Sequence, residues 1–228
     1  MKTQNTRIKF FPVLLAVAAL LFLTVPTQAS TILEQGTLYG TKDDFTAVPA
    51  DQFYNDATLS FLVTQDGPVV HYTYTFQDNG TGPNLKTLAE LIIQTADSFK
   101  ASDIFNVAYS VGSNSYAIGS YTSGPGAPGL QPSPLYGINF TISSQNHITI
   151  SFDSDRLPMQ GYFYMKDGKY AINSTNPPAM GDVYAYNYPK TNLWVPGATN
   201  AVPIPASALL LGSGLTGLGL LGWRRKRS

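Results

Sequence analysis

Thr58-Leu59-Ser60-Phe61-Leu62-Val63-Thr64, then Gln65-Asp66-Gly67-Pro68, then Val69-Val70-His71-Tyr72-Thr73-Tyr74-Thr75-Phe76: the reading of this stretch decides the fold class. In its second arm Val70, Tyr72, Tyr74 and Phe76 alternate with His71, Thr73 and Thr75. Successive side chains of a strand point to opposite faces, so this arm has an aromatic face and a polar face. The residues between the arms include the Gly and Pro of a turn, and the whole predicts an antiparallel hairpin.

Working outward, Tyr136–Ser143 and His147–Asp153 predict a second hairpin around Ser144-Gln145-Asn146. Gly161–Lys166 and Lys169–Asn173 bracket Asp167-Gly168, a two-residue turn signal. Ile104–Val111 and Val183–Tyr188 predict further strands. One segment has another period. Leu85, Leu88, Leu91, Ile92, Ala96 and Phe99 recur at helical spacing behind Pro83-Asn84, and Thr87 and Glu90 fit a capping box. The expectation is an amphipathic helix over Asn84–Lys100 packed on the sheet. Gly119–Pro134, rich in Gly and Pro, predicts a long surface loop, and Asn192–Ala201 predicts a linker. The expected fold class is mainly β: an antiparallel β-sandwich-like domain with one amphipathic helix.

Both ends of the chain read as addresses. Lys2, Arg7 and Lys9 precede an apolar run from Phe10 to Val25, and Thr27-Gln28-Ala29 offers small residues before Ser30. That is the pattern of a secretory signal peptide cleaved between Ala29 and Ser30. At the other end Val202-Pro203-Ile204-Pro205 leads into Ala206–Trp223, which holds no charge, and then into Arg224-Arg225-Lys226-Arg227. About 18 residues at about 1.5 Å each reach roughly 27 Å, enough for a thin bilayer. Pro203 and Pro205 keep the chain before the span extended. The basic cluster keeps the C-terminus in the cytoplasm and stops translocation. Gly212 to Gly217 fits G-x-G-x-x-G, but that pattern means a dinucleotide site only between a strand and a helix. Inside a membrane span it carries no such meaning.

From Val202 to Ser228 the chain resembles the PEP-CTERM tails of exosortase substrates. The residues that carry the resemblance are the proline motif, Leu211-Gly212-Ser213-Gly214-Leu215, and the arginine-rich end. Ile204 stands where the family name has a glutamate. The resemblance implies a Gram-negative bacterium, processing by an exosortase-type enzyme after export, and a setting of exopolysaccharide or biofilm. The implied partners are that enzyme, signal peptidase with the general export machinery, the membrane through the C-terminal helix, and extracellular polysaccharide. The expected organisation is a signal peptide over 1–29, an exported β-rich domain over 30–191, a linker over 192–201, and a sorting tail over 202–228 with its transmembrane helix at 206–223.

Composition narrows the function of the exported part. The chain has 14 basic and 14 acidic residues. The acids all lie between Glu34 and Asp182, where only Lys42, Lys86, Lys100, Arg156, Lys166, Lys169 and Lys190 oppose them. The exported domain is therefore 7 minus 14, or −7. A domain of that sign repels phosphate backbones, so nucleic acid is not an expected partner. The absence of cysteine excludes thiol catalysis, thiolate zinc sites and lipoprotein acylation. Roughly 170 residues bury enough surface to fold without disulfides.

No catalytic pattern stands out. His71 and His147 read as exposed strand residues, and no G-x-S-x-G occurs. Asp153-Ser154-Asp155, Asp43-Asp44 and Asp78-Asn79-Gly80 are candidate carboxylate pairs or Ca²⁺ ligands without EF-hand spacing. The expectation is no cofactor and no metal. The 14 tyrosines, with Tyr162-Phe163-Tyr164 and Tyr184-Ala185-Tyr186-Asn187-Tyr188 among them, suit stacking on sugar faces as well as core packing. A structural or interaction protein of the cell surface or matrix is the first reading. A carbohydrate-binding module is the second, and a secreted glycan-acting enzyme the third.

N-terminal sequencing of the exported protein should return Ser30 as its first residue. Replacing Pro203 and Pro205 with alanine should leave the full-length chain in the membrane, as read by mass spectrometry of membrane and surface fractions. A mature protein that keeps Ser228 with and without an exosortase in the host would leave the tail as an anchor alone.

Overall fold

The computed structural model describes residues 30–40, 44–48, 57–79, 87–112, 114–124, 130–167 and 184–201. The expected signal peptide and the tail from Val202, with its motif, its span and its basic cluster, lie outside the described residues, as do Lys169–Asn173. Among the described residues no helix is long and apolar enough to cross a membrane.

Among the described residues thirteen strands run in chain order: β1 (Thr31–Tyr39), β2 (Thr46–Val48), β3 (Ala57–Asp66), β4 (Val69–Asp78), β5 (Leu88–Gln94), β6 (Ile104–Tyr109), β7 (Ser115–Tyr121), β8 (Leu135–Gln145), β9 (His147–Ser154), β10 (Arg156–Gly161), β11 (Phe163–Asp167), β12 (Tyr184–Tyr186) and β13 (Leu193–Asn200). They form a five-stranded sheet in the order β1-β3-β4-β9-β6 and a six-stranded sheet in the order β2-β12-β11-β5-β8-β7. A ribbon of β10 and β13 completes the fold. Every pairing is antiparallel. The sandwich expected from the sequence is present.

The first hairpin forms as its alternation requires. Ala57 to Asp66 pair with Asp78 to Val69 without a register break. Gly67 takes φ 59° at the first turn position, which glycine adopts without steric cost, and Pro68 follows. Val70, Tyr72, Tyr74 and Phe76 all point inward and are fully buried. Phe152 of β9 stacks on Tyr72 at 5.2 Å between ring centroids and on Phe140 of the facing sheet at 5.8 Å. Such ring pairs contribute about 0.5–1.5 kcal/mol each beyond the area they bury.

Four expectations are corrected. The segment read as a helix over Asn84–Lys100 contains strand β5, and the helical element that follows it is a single 3₁₀ turn at Ala101–Asp103. The cause is burial on both faces. Leu91 and Ile93 point into the main core, while Ile92 points into a second cluster with Leu130, Leu135 and Tyr164. A strand buried on both sides loses its polar alternation and imitates helical spacing. Thr87 does not cap a helix; its N–H and hydroxyl both donate to Asp167 Oδ1 of β11, at 3.1 and 2.8 Å.

The second hairpin is also not a hairpin. β8 pairs with β5 and β7, whereas β9 pairs with β4 and β6. The chain crosses between sheets at Asn146, next to Ser144 in the left-handed region at φ 43°. Asn146 is tied to the five-stranded sheet by the Asp78 N–H donating to its carbonyl at 2.8 Å. Finally, the expected linker Asn192–Ala201 holds β13, whose Leu193 and Val195 are fully buried in the main core. Its Pro and Gly sit against β10, with Pro196 opposite Pro158. The predicted loop from Gly119 begins later than expected, because β7 extends to Tyr121.

The ribbon is locked by a buried arginine. Arg156 donates from Nη2 to Asp103 Oδ2 at 2.7 Å and from Nη1 to the Ala198 carbonyl at 2.7 Å. Its own carbonyl accepts from the Tyr72 hydroxyl at 2.8 Å, and the Trp194 carbonyl accepts from the Tyr74 hydroxyl at 2.8 Å. Removing one partner of a buried ion pair leaves the other charge uncompensated. Asp103→Ala should therefore lower stability by about 3–5 kcal/mol in urea unfolding. Replacing both partners with apolar residues should cost less than the two single changes summed.

Candidate functional site

The outer face of the six-stranded sheet carries a ledge of tyrosines. Tyr162, just ahead of β11, and Tyr164 on β11 flank the inward Phe163, and on β12 Tyr184 and Tyr186 flank the inward Ala185. Period-2 alternation thus sends both tyrosine pairs to the same side. Tyr164 is opposite Tyr186 in the ladder, and its ring stacks diagonally on Tyr184 at 5.9 Å and 25°. Tyr184 and Tyr186 lie 6.4 Å apart with ring planes only 19° from parallel. Tyr188 follows, 40% exposed, with its ring 5.4 Å from that of Tyr162. Tyr164 is buried beneath this ledge, while Tyr162, Tyr184 and Tyr186 keep part of their surface in solvent.

Polar groups border the rings. Lys166 stands opposite Tyr184 and next to Glu90 in the ladder. Glu90 Oε1 accepts from Asn139 Nδ2 at 2.5 Å. The strand corner is held by Asn187, which is buried. Its Oδ1 accepts from the Phe163 N–H at 2.7 Å, and its Nδ2 donates to the Gly161 carbonyl and to Asn192 Oδ1. Rigid aromatic planes rimmed by hydrogen-bonding groups are the chemistry of contact with a partly apolar, hydroxylated ligand.

The other sequence candidates fall elsewhere. Ser30 is exposed at the start of the described residues, and Ala29 lies outside them. Asp153 is held by two partners: His71 Nδ1 lies 2.5 Å from Oδ1, and Asn106 Nδ2 donates to Oδ2 at 2.7 Å. Asp155 accepts from Asn200 at 3.3 Å and faces Arg156 Nε at 3.5 Å, a coulombic contact too long for a strong hydrogen bond. The Asp153-Ser154-Asp155 carboxylates are therefore engaged by different partners. Asp44 accepts from the Tyr39 N–H at 2.9 Å, and Asp43 and Gly80 lie outside the described residues. Asp78 is buried at the end of β4. Glu34 and Glu90 sit on different sheets. His147 is exposed at the start of β9. Among the described residues no group of three or more His, Asp or Glu is placed to hold a metal.

The His71–Asp153–Asn106 arrangement was not legible in sequence. His71 and Asp153 are 82 residues apart and meet only because β4 and β9 are paired. Asn106 reaches Asp153 from a bulge in β6, with φ 53°. An isolated Asn in a β-like run is the one signal that marks such a position, since Asn tolerates the left-handed region better than most residues.

No family model matches the chain, and no curated protein matches it. Among solved structures it is similar to the KRT10-binding region domain of the pneumococcal serine-rich repeat protein PsrP, at 11% identity, over 61% of this chain and 84% of that one, with a TM-score of 0.24. At that score the likeness carries no argument.

Four tyrosine hydroxyls hold their protons above the ordinary value of 10.0. Burial pushes Tyr72 and Tyr74 far up, with Tyr72 a further cause for Tyr74. Burial, then neighbouring Tyr116, pushes Tyr109 up to about 12. Burial, then Glu90, raises Tyr121. The folded state thus keeps protons that the unfolded chain loses near pH 10, so stability is full below that pH and falls as pH rises above it. Ultraviolet titration should show Tyr72 and Tyr74 ionising only together with unfolding. Smooth titration of all the tyrosines in a still-folded chain would contradict the packing of β4.

Proposed function

We propose that the chain is an exported protein of the cell surface or extracellular matrix that works by contact, and that the tyrosine ledge is its contact surface for extracellular polysaccharide. The stacked, part-exposed Tyr184 and Tyr186, set above buried Tyr164, are the observation that carries this reading. Sugar rings have apolar C–H faces and hydroxyl edges. The ledge offers flat rings for the first, and Lys166, Glu90 and the tyrosine hydroxyls for the second. The ladder fixes the backbone beneath, so little ordering is needed on binding. Asp153 and Asp155 are held by His71, Asn106, Asn200 and Arg156, which suits structural carboxylates better than a general acid and base.

The tail fits the same reading. The signal peptide takes the chain through the inner membrane, and the Ala206–Trp223 span holds it there with its C-terminus in the cytoplasm. Val202-Pro203-Ile204-Pro205 then presents an extended segment to an exosortase-type enzyme, which frees the domain for the surface or matrix. In this scheme the protein is the substrate of a processing enzyme and not itself a catalyst.

Affinity electrophoresis of the exported protein in gels containing the host's matrix polysaccharide tests the ledge. Tyr184→Ala and Tyr186→Ala should each cost about 1 kcal/mol, roughly fivefold in Kd. Leu62→Ala, on the opposite sheet, should leave binding unchanged. Equal retardation of all three variants, or none for the parent chain, would remove the sugar reading and leave a structural role.

A further inference from the structure

We propose that β7 is a docking edge at which two copies of this chain pair through a two-fold axis. The two main sheets and the ribbon present six outer strands, and five of them carry a device that discourages pairing. β1 holds Glu34 and a register break between Ile32 and Glu34. β2 has 3 residues. β6 is broken between Phe105 and Ala108, with Asn106 in the left-handed region. β10 and β13 contain Pro158 and Pro196. β7 has none of these. Its 7 residues, Ser115–Tyr121, contain no charge and no proline, and they pair with β8 from end to end without a shift. Among the described residues no strand pairs with its other side.

The sequence of β7 is self-complementary. Pairing it antiparallel with its own copy about Ile118 places Tyr116 opposite Ser120, Ser115 opposite Tyr121, and Ala117 opposite Gly119. Each tyrosine then faces a serine, and no two rings compete for one place. Ile118 meets its own copy on the inward face, where it already packs against the core, so the two cores become continuous. The Thr95 N–H donating to the Tyr136 carbonyl sets the phase of the ladder: odd residues of β8 face β7, so Ala117, opposite Asn139, turns its backbone groups to β8. The Tyr121 hydroxyl, which donates to the Ala117 carbonyl at 2.9 Å, therefore lies on the β8 side, and the open edge offers the backbone groups of Tyr116, Ile118 and Ser120.

Charge selects a second copy as the occupant. The exported domain is strongly acidic, and like-charged copies repel over most of their surface. From Ile104 to Phe152, however, the chain contains no Asp, Glu, Lys or Arg. That stretch comprises β6, β7, β8 and most of β9, so both sheets end in an uncharged strand, β6 and β7. Phe105, Val111 and Tyr116, at or beside these two strands, are 38%, 42% and 39% exposed. Two copies meeting here bring apolar surface together without bringing charges together. A strand pair of this length makes a small interface, so the expected affinity is weak, on the order of micromolar.

The chain has no cysteine, which makes the test clean. Full-length single-cysteine variants are exported, oxidised gently and run on non-reducing gels. Directly opposed residues of an antiparallel pair lie about 4.5–5.5 Å apart at Cα, within disulfide reach. Ile118→Cys should give a reducible covalent dimer, and Leu62→Cys, exposed on the other sheet, should not. Adding Ala117→Lys to the Ile118→Cys chain places lysines near the axis and should cut the dimer at least about tenfold. Co-expressing that chain with a Gly119→Asp Ile118→Cys chain should restore it, since the new charges then face each other; a Cβ at Gly119 meets no atom within 4 Å. That rescue also shows both variants folded. No covalent dimer from Ile118→Cys, equal cross-linking through Leu62→Cys, or indifference to Ala117→Lys would overturn the proposal. Cross-linking to a different protein would place another strand at β7 and overturn the self-pairing.

Discussion

The buried Arg156 guanidinium is the interaction on which the rest of this domain depends. The β10–β13 ribbon belongs to neither main sheet, yet Leu193 and Val195 complete the core between them. The ribbon has no ladder to either sheet; a backbone contact, the Ala96 N–H donating to the Pro196 carbonyl at 3.3 Å, and several side chains hold it. Arg156 reaches the 3₁₀ turn through Asp103 and β13 through the Ala198 carbonyl. Tyr72 and Tyr74 reach the ribbon from β4 with their hydroxyls. The Ser154 hydroxyl joins the same knot, accepting from the Arg156 N–H and donating to the Asp103 carbonyl. Each polar group there is costly to bury alone and inexpensive when paired, so the knot forms as a unit or not at all.

That closure explains why the tyrosines divide into two populations. Those of β4 are structural: their rings fill the core and their hydroxyls find carbonyls on the ribbon. Those of β11 and β12 face the opposite side of the six-stranded sheet, where Leu130 and Leu135 cover only part of the surface. The remainder stays as half-exposed rings. A sheet buried on one side and partly covered on the other is a stiff platform, and a stiff platform suits a contact surface better than a loop does. The same sheet ends in β7, whose unguarded edge stands out beside the bulges, prolines and short length that blunt the other outer strands.

Much of this was legible in the sequence. The alternation from Val70 to Phe76 identified a strand, its buried face and its hairpin partner without ambiguity. The runs at Ile104, Tyr136, His147 and Tyr184 also became strands. The helix expected over Asn84–Lys100 failed for a physical reason. Sequence periodicity reports how many faces of an element are buried, and it assigns an element type only when one face is wet. Leu91-Ile92-Ile93 are buried on both faces, so the strand period vanished and a helical one took its place. The break expected at Ser144-Gln145-Asn146 narrows to Asn146 alone, between β8 and β9, and nothing local says whether the chain there returns to its own sheet or crosses to the facing one.

Residue type and short spacing were enough for the β-rich class and the inward faces of its alternating strands, and they carry the addresses expected at both ends. Only the tertiary structure decided that β8 and β9 belong to different sheets, that the supposed linker is a core strand, that His71 and Asp153 meet, and that tyrosines from two strands form one ledge. Those outcomes depend on long-range pairing, which is set by the summed burial of distant segments and leaves no periodic mark in any one of them.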